Sequence, residues 1–97
     1  MEFEWDESKN KTNIVKHGID FEDAILIWNG VIATAQGKKI GNEDRFIAFG
    51  EVNSRVIAVV YTWRGTVCRI ISARRAQTRE RRTYYATLAG VAKNQGE

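Results

Sequence analysis

Three stretches rich in β-branched and aromatic residues follow one another in the second half of the chain. They are residues 45–52, 56–63 and 66–74. The first two stretches are separated by Asn53 and Ser54, and the last two by Arg64 and Gly65. Asparagine, serine and glycine are common in tight turns. Connections this short cannot cross over a sheet to give parallel pairing. The sequence therefore predicts three consecutive antiparallel strands.

Two helices are predicted before these strands. Asp6 can accept hydrogen bonds from the free amides of a first helical turn, so a helix begins after it and runs to about His17. Gly18 ends that helix, because glycine readily adopts the left-handed conformation. Asp20 is the N-cap of a second helix. The apolar face of the second helix recurs at helical spacing and comprises Phe21, Ala24, Ile25 and Trp28.

The remaining elements complete an α+β domain. Residues 2–5 predict a short edge strand, residues 31–35 a further strand, and residues 78–92 a final helix. The apolar stripe predicted for this helix is Tyr84, Tyr85, Leu88, Val91 and Ala92. We expect one domain, residues 1–92, in which two N-terminal helices and a C-terminal helix pack on an antiparallel sheet, followed by a loose tail, residues 93–97.

Strand periodicity also predicts which side chains share a face of the last strand. Side chains alternate along a strand, so Cys68, Ile70, Ser72 and Arg74 are expected on one face of the sheet. Cys68 lies within an apolar run and has no histidine or cysteine nearby. We therefore expect Cys68 to belong to the core and not to act as a nucleophile.

Composition excludes several classes of protein. With 97 residues, 43% hydrophobic and 28% charged, the chain can form one globular core and does not resemble a disordered segment. There is no signal-peptide pattern and no run of about 20 apolar residues, so neither secretion nor membrane insertion is expected. A single cysteine indicates a reducing compartment, and we expect a cytoplasmic protein. No zinc spacing or glycine-rich phosphate loop occurs, so no metal or cofactor is expected.

The strongest chemical signal is a cluster of arginines where the last strand meets the final helix. Five fall within nine residues: Arg74, Arg75, Arg79, Arg81 and Arg82. An unpaired guanidinium is costly to bury, so these side chains face either water or an anion. Phosphate is the anion that guanidinium groups bind best, through paired hydrogen bonds. A basic helix start that is exposed to water is the simpler interpretation. The sequence leaves both this interpretation and an anion-binding site open.

His17 is the sole histidine and lies in the last turn of the first helix, where Lys9 and Lys16 share one face with Asn13. A histidine there is either a surface group or an acid/base that contacts phosphate.

Metal-free cleavage of RNA uses a proton-transferring side chain together with cationic side chains, and this sequence contains both kinds. A base deprotonates the 2′-hydroxyl, cations stabilise the charged phosphorane, and an acid protonates the leaving oxygen.

The sequence resembles the BrnT family of type II toxins in three places. The opening segment carries Trp5-Asp6, Lys9, Asn13, Lys16-His17-Gly18 and Phe21-Glu22-Asp23-Ala24. The second segment carries Asp44-Arg45-Phe46 and Ala48-Phe49-Gly50, and the third Ile71-Ser72-Ala73-Arg74-Arg75-Ala76, Glu80-Arg81 and Tyr84. Two positions depart mildly from the family pattern. Phe49 replaces a smaller aliphatic residue, and Asp44 replaces a common glutamate.

The resemblance implies a RelE-like fold and a metal-independent endoribonuclease toxin that degrades RNA and slows translation. It implies a BrnA-like antitoxin with a ribbon-helix-helix segment, and contact with operator DNA only through that antitoxin. It also implies four catalytic residues, which are His17, Arg45, Arg74 and Glu80. The two arginines would stabilise the negative charge of the transition state, and His17 or Glu80 would transfer protons. The basic residues expected to contact RNA are Lys9, Lys16, Arg75, Arg79 and Arg82.

Two other functions fit the same residues. One is a binding module whose arginines dock an acidic partner or DNA without cleaving anything. The other is a degenerate toxin that acts only as a co-repressor of its operon. An enzyme loses turnover abruptly at one or two residues, whereas a binder loses affinity roughly evenly with each cation removed.

Overall fold

Five strands form one mixed sheet, with helices on both of its faces. A computed structural model describes residues 1–95 and the side chains of residues 1–93. The elements are β1 (Glu2–Glu4), α1 (Glu7–His17), α2 (Phe21–Ala24), a 3₁₀ helix (Ile25–Asn29), β2 (Ala33–Gln36), β3 (Phe46–Val52), β4 (Arg55–Arg64), β5 (Val67–Arg75) and α3 (Thr78–Gln95). The strand order is β1-β5-β4-β3-β2.

The predicted antiparallel meander is confirmed as β3, β4 and β5. Asn53 and Ser54 connect β3 to β4 with φ angles of 52° and 65°. Positive φ at both central residues is typical of the type I′ turn, whose twist matches that of the flanking strands. The prediction of a wholly antiparallel sheet is wrong, because β1 pairs in parallel with β5. A long connection separates these two strands, so no hairpin fixes their relative direction.

A β-bulge in β5 changes which side chains face the larger core. Val60 pairs with Ser72 and Tyr61 with Ile70, so Ile71 has no partner on β4. An extra residue shifts the alternation of side chains by one position. As a result Cys68, Ile70 and Ala73 all belong to one buried cluster. The prediction that Arg74 shares a face with Cys68 is therefore wrong.

Two apolar cores lie on opposite faces of the sheet. In the larger core, Phe21, Ala24 and Ile27 pack on β4 and β5, and the predicted core position of Cys68 is confirmed. The smaller core places Tyr84 of α3 against the other face. The second predicted helix is α-helical only as far as Ala24 and continues as the 3₁₀ helix. Because a 3₁₀ helix has three residues per turn, Ile27 follows Ala24 by one turn, and both side chains are buried.

The C-terminal helix is longer and less buried than predicted. Within its expected apolar stripe, Tyr84 is buried, but Tyr85 is 49% exposed and Leu88 36% exposed. The helix continues to Gln95, so the predicted loose tail is helical as far as that residue. Residues 96 and 97 lie outside the described part of the chain. No helix among residues 1–95 is both long enough and apolar enough to cross a bilayer.

The first helix docks on the edge of the sheet through polar side chains. Asn13 donates from Nδ2 to the Ala73 carbonyl at 2.9 Å, and its Oδ1 accepts from the Ala73 N–H at 3.1 Å. The parallel strand β1 covers only residues 67–69 of β5, so the Asn13 amide bonds to edge groups further along it. Asn10 accepts from the Phe21 N–H at 2.9 Å and thereby joins α1 to α2.

Candidate functional site

Three adjoining grooves lie where the end of α1, the β3–β4 turn and the end of β5 meet. The central groove has a volume of about 500 Å³, and its lining includes His17, Asp23, Asn53, Arg55, Ile57 and Arg75. The α1 groove, of about 260 Å³, includes Lys9, Thr12, Lys16, His17, Ile71 and Ser72. The α3 groove, also about 260 Å³, includes Ser54, Arg55, Arg75, Arg81 and Tyr85.

Shared residues join the three grooves into one continuous surface. His17 lines both the central groove and the α1 groove. Arg55 and Arg75 line both the central groove and the α3 groove. The structure thus brings together four of the side chains singled out from the sequence, which are Lys9, Lys16, His17 and Arg75. The capped end of α1 positions His17, since Gly18 stops the helix there with a φ of 71°.

Arg74 and Glu80 bind each other at the junction of β5 and α3. Nη1 and Nη2 of Arg74 donate to the two carboxylate oxygens of Glu80 at 2.7 and 2.9 Å. The same carboxylate accepts from the Gln77 N–H at 2.7 Å, as a residue in the first turn of a helix does in a capping box. The hydrogen bond from Arg74 lowers the pKa of Glu80, and the one to Glu80 raises the pKa of Arg74.

These pKa directions restrict the chemistry available to Glu80. A carboxylate whose pKa is lowered is ionised at neutral pH, so it has no proton to donate there. The Arg74 side chain also donates to the Arg75 carbonyl at 3.3 Å. The ion pair therefore fixes the backbone that carries Arg75 into the central groove.

Arg45 lies apart from the grooves. It precedes β3, and its Nε donates to Glu43 at 3.0 Å. The central groove includes Val52 and Asn53, at the other end of the same strand. Seven residues of strand, at a rise of about 3.3 Å each, place Arg45 roughly 23 Å away along β3. The catalytic role that the resemblance implies for Arg45 stays a prediction.

The structure adds two arginines that sequence reasoning did not assign to the site. Arg55 directly follows the β3–β4 turn, and the pairing of Ile57 with Arg75 brings it beside β5. Arg81 folds back on its own helix start, donating to the Ala76 carbonyl at 2.8 Å and to Thr78 Oγ1 at 3.1 Å. Arg79 and Arg82 are exposed on α3 and contribute to none of these three linings.

The groove cations lack acidic partners. The salt bridges within the described residues join other pairs, which are Lys39–Asp44, Arg45–Glu43, Arg69–Glu4 and Arg74–Glu80. Among the described residues that line the three grooves, Asp23 carries the one carboxylate. Unpaired positive charge in a concave surface raises the local concentration of anions. The charge of the grooves is therefore complementary to an anionic ligand.

These features define a small α+β domain with a continuous basic surface that includes a histidine. Residues 5–80 match the model of one protein family, described as the BrnT ribonuclease toxin of type II toxin–antitoxin systems. The chain belongs to this family, which confirms the resemblance seen in the sequence. Membership identifies a ribonuclease toxin and implies an antitoxin partner. No curated protein matches the chain.

Proposed function

We propose that this toxin is a metal-independent endoribonuclease, with a RelE-like fold, whose reaction centre is the central groove. One observation carries the proposal: His17 lies where two grooves meet, with unpaired cations on both sides. RNA cleavage needs a proton-transferring group beside cations that neutralise the phosphate. The membership of the chain in a ribonuclease toxin family supports the same reaction class.

The proposed reaction uses a nucleophile that the substrate supplies. The 2′-oxygen attacks the adjacent phosphorus and loses its proton to a base, and the bond from phosphorus to the 5′-oxygen breaks. An acid protonates that oxygen, which leaves a 2′,3′-cyclic phosphate and a 5′-hydroxyl. Arg75 and Lys16 neutralise the charge on the phosphorane.

Proton transfer is assigned to His17. Glu80 is ionised at neutral pH because the hydrogen bond from Arg74 lowers its pKa, so it does not serve as the acid. We assign Arg74 and Glu80 to positioning, because their ion pair fixes the backbone next to Arg75.

The proposal extends to the partner. A BrnA-like antitoxin with a ribbon-helix-helix segment would neutralise the toxin by placing carboxylates over the basic grooves, and would itself contact operator DNA. Cytoplasmic RNA is the proposed substrate, and its cleavage would inhibit translation. The unpaired charge of the grooves supports an acidic partner surface, because complementary charge steers association and fixes register.

A cleavage assay with purified protein tests the reaction centre. Labelled single-stranded RNA is supplied free in the presence of EDTA and, separately, in a translation extract without EDTA. His17→Asn is expected to lower the cleavage rate about 100-fold or more, the usual contribution of a general acid or base, while RNA affinity and folding stay close to wild type. Wild-type binding without any cleavage would favour the binding-module function, and cleavage abolished by EDTA would contradict metal independence.

The variant Arg45→Ala tests whether the reaction centre is the central groove or includes Arg45, as the resemblance implies. A reaction centred on the central groove predicts a nearly wild-type rate for this variant, because Arg45 lies at the far end of β3. A loss of tenfold or more would place Arg45 in the reaction centre and contradict the proposed location.

A further inference from the structure

The α3 groove adjoins the proposed reaction centre but has its own chemistry. It shares Arg55 and Arg75 with the central groove and adds Arg81 and Tyr85, which lie on α3. The cleavage reaction as proposed uses neither Arg81 nor Tyr85. A ligand that extends from the central groove past the shared arginines would enter this second groove.

Three guanidinium groups surround a volume of about 260 Å³. None of the three forms a salt bridge with the described residues. Arg81 is held in place by its bonds to the Ala76 carbonyl and Thr78 Oγ1, and these use only two of its five N–H donors. Like charges that line one groove repel one another, and a phosphate group relieves that repulsion through paired hydrogen bonds.

Tyr85 supplies an aromatic surface at the rim of the same groove. Its ring packs against Tyr84 with centroids 5.4 Å apart and an interplanar angle of 65°. Tyr84 is buried in the smaller core, whereas Tyr85 is 49% exposed. A ring that is about half exposed and lines a basic groove offers a surface on which a nucleobase can stack.

We propose that the α3 groove is a further nucleotide subsite, which binds a nucleotide beyond the two that the cleaved bond joins. Arg55 and Arg81 bind its phosphate, Arg75 bridges the two grooves, and Tyr85 stacks on its base. The inference rests on the proposed ribonuclease function and adds a substrate class. The substrate is single-stranded RNA that extends beyond the cleaved bond, because bases paired in a duplex are not free to stack on a side chain.

Variants of Tyr85 test the stacking contact. The ratio of kcat/KM for a single-stranded hexanucleotide to that for a dinucleotide measures the contribution of the subsite. Tyr85→Leu is expected to lower this ratio about tenfold through KM, as loss of one stacked base does. Tyr85→Phe keeps the ring and is expected to restore the wild-type ratio. Circular dichroism and thermal unfolding show whether each variant is folded.

Arg55→Gln has a matched control in Arg64→Gln. Arg55 and Arg64 are the first and last residues of β4, both exposed, and each adjoins a two-residue turn. Nine steps of about 3.3 Å place them roughly 30 Å apart. Arg55→Gln is expected to reduce the salt dependence of hexanucleotide binding by about 0.7 in the slope of log K against log salt, the value for one lost phosphate contact. Arg64→Gln is expected to leave it unchanged.

Binding of a 2′-O-methyl hexanucleotide distinguishes the proposed subsite from the proposed cleavage reaction. This RNA lacks the 2′-hydroxyl nucleophile, so its binding is measured without cleavage. If wild type binds it more tightly than Tyr85→Leu does but cleaves no RNA, the reaction fails and the subsite stands. Equal hexanucleotide affinity and an equal kcat/KM ratio in wild type and Tyr85→Leu would overturn the subsite. If the variants bind and cleave RNA as wild type does but lose affinity for the antitoxin, the groove is instead an antitoxin contact.

Discussion

A single amide side chain connects the first helix to the sheet. Asn13 is 6% exposed, and its Nδ2 donates to the carbonyls of both Ile19 and Ala73 at 2.9 Å. Its Oδ1 accepts from the Ala73 N–H, so three backbone groups depend on this side chain. The sequence placed Asn13 on a polar face with Lys9 and Lys16 but could not show that it bonds to a residue 60 positions away.

Replacement of Asn13 by leucine tests this connection. The variant keeps a similar size but leaves the three backbone groups without partners, and one such buried group costs about 1 to 3 kcal/mol. We expect the free energy of unfolding to fall by about 3 kcal/mol, measured by urea denaturation. Lys11→Ala, on the exposed side of the same helix, is the control and should stay within about 0.5 kcal/mol of wild type. Equal stability of Asn13→Leu and wild type would contradict the role.

At the scale of elements, the junction between β5 and α3 controls where the arginines lie. Glu80 caps the start of α3 through the Gln77 N–H and binds Arg74 at the end of β5. The sequence predicted a strand and a helix on either side of this junction, because periodicity is a local signal, although α3 extends further than predicted. It did not predict the bulge at Ile71, because a bulge depends on the register between two strands. The bulge places Arg74 on the face opposite Cys68 and so next to α3.

This junction predicts a pH dependence of stability. The hydrogen bond from Arg74 lowers the pKa of Glu80, so its contribution is fully present above the unfolded pKa of about 4.3 and is lost as pH falls through the lower folded pKa. Glu80→Gln keeps an acceptor for the Gln77 N–H but removes the charge. We expect it to lose about 1 to 3 kcal/mol at neutral pH and to approach wild-type stability as pH falls below the folded pKa of Glu80.

Urea denaturation across this pH range measures the effect. Glu22→Gln, which changes an exposed carboxylate in the first turn of α2, serves as the control and should follow the wild-type profile. A difference between wild type and Glu80→Gln that stays constant with pH would show that the ion pair does not stabilise the folded state.

At the scale of the whole molecule, Cys68 reports on the integrity of the larger core. Its side chain is fully buried among residues of the helices and the sheet. Burial raises the pKa of its thiol to about 11, so little reactive thiolate exists at neutral pH. We expect native protein to resist iodoacetamide, with labelling that rises at the same urea concentration as the loss of circular dichroism. Mass spectrometry measures the labelled fraction.

Fast labelling of Cys68 without urea would contradict this expectation and would indicate local opening of β5. Protein fully unfolded in urea is the control, because its thiol should react at the rate of a free cysteine. The sequence alone predicted a core cysteine, since Cys68 lies in an apolar run and has no histidine or cysteine nearby.

The distribution of charge is also a property of the whole molecule. The chain carries 15 lysines and arginines against 12 acidic residues, a modest excess. Acidic residues pair with Lys39, Arg45, Arg69 and Arg74, whereas the groove cations have no salt bridge to any side chain of residues 1–93. Five cations without a salt bridge in the described part of the chain, Lys9, Lys16, Arg55, Arg75 and Arg81, line one continuous surface, an arrangement that composition alone does not reveal.

The sequence by itself determined the features that depend on neighbouring residues. These include the cap at Asp6, the helix stop at Gly18, the meander and its turns, the family, and the arginine cluster. The tertiary structure alone decided the parallel pairing of β1 with β5, the convergence of Arg55 and Arg75, and the separation of Arg45 from His17. Caps and turns depend on bonds within a few residues. Strand pairing depends on which distant segments can bury their apolar faces together, and no local pattern encodes that choice.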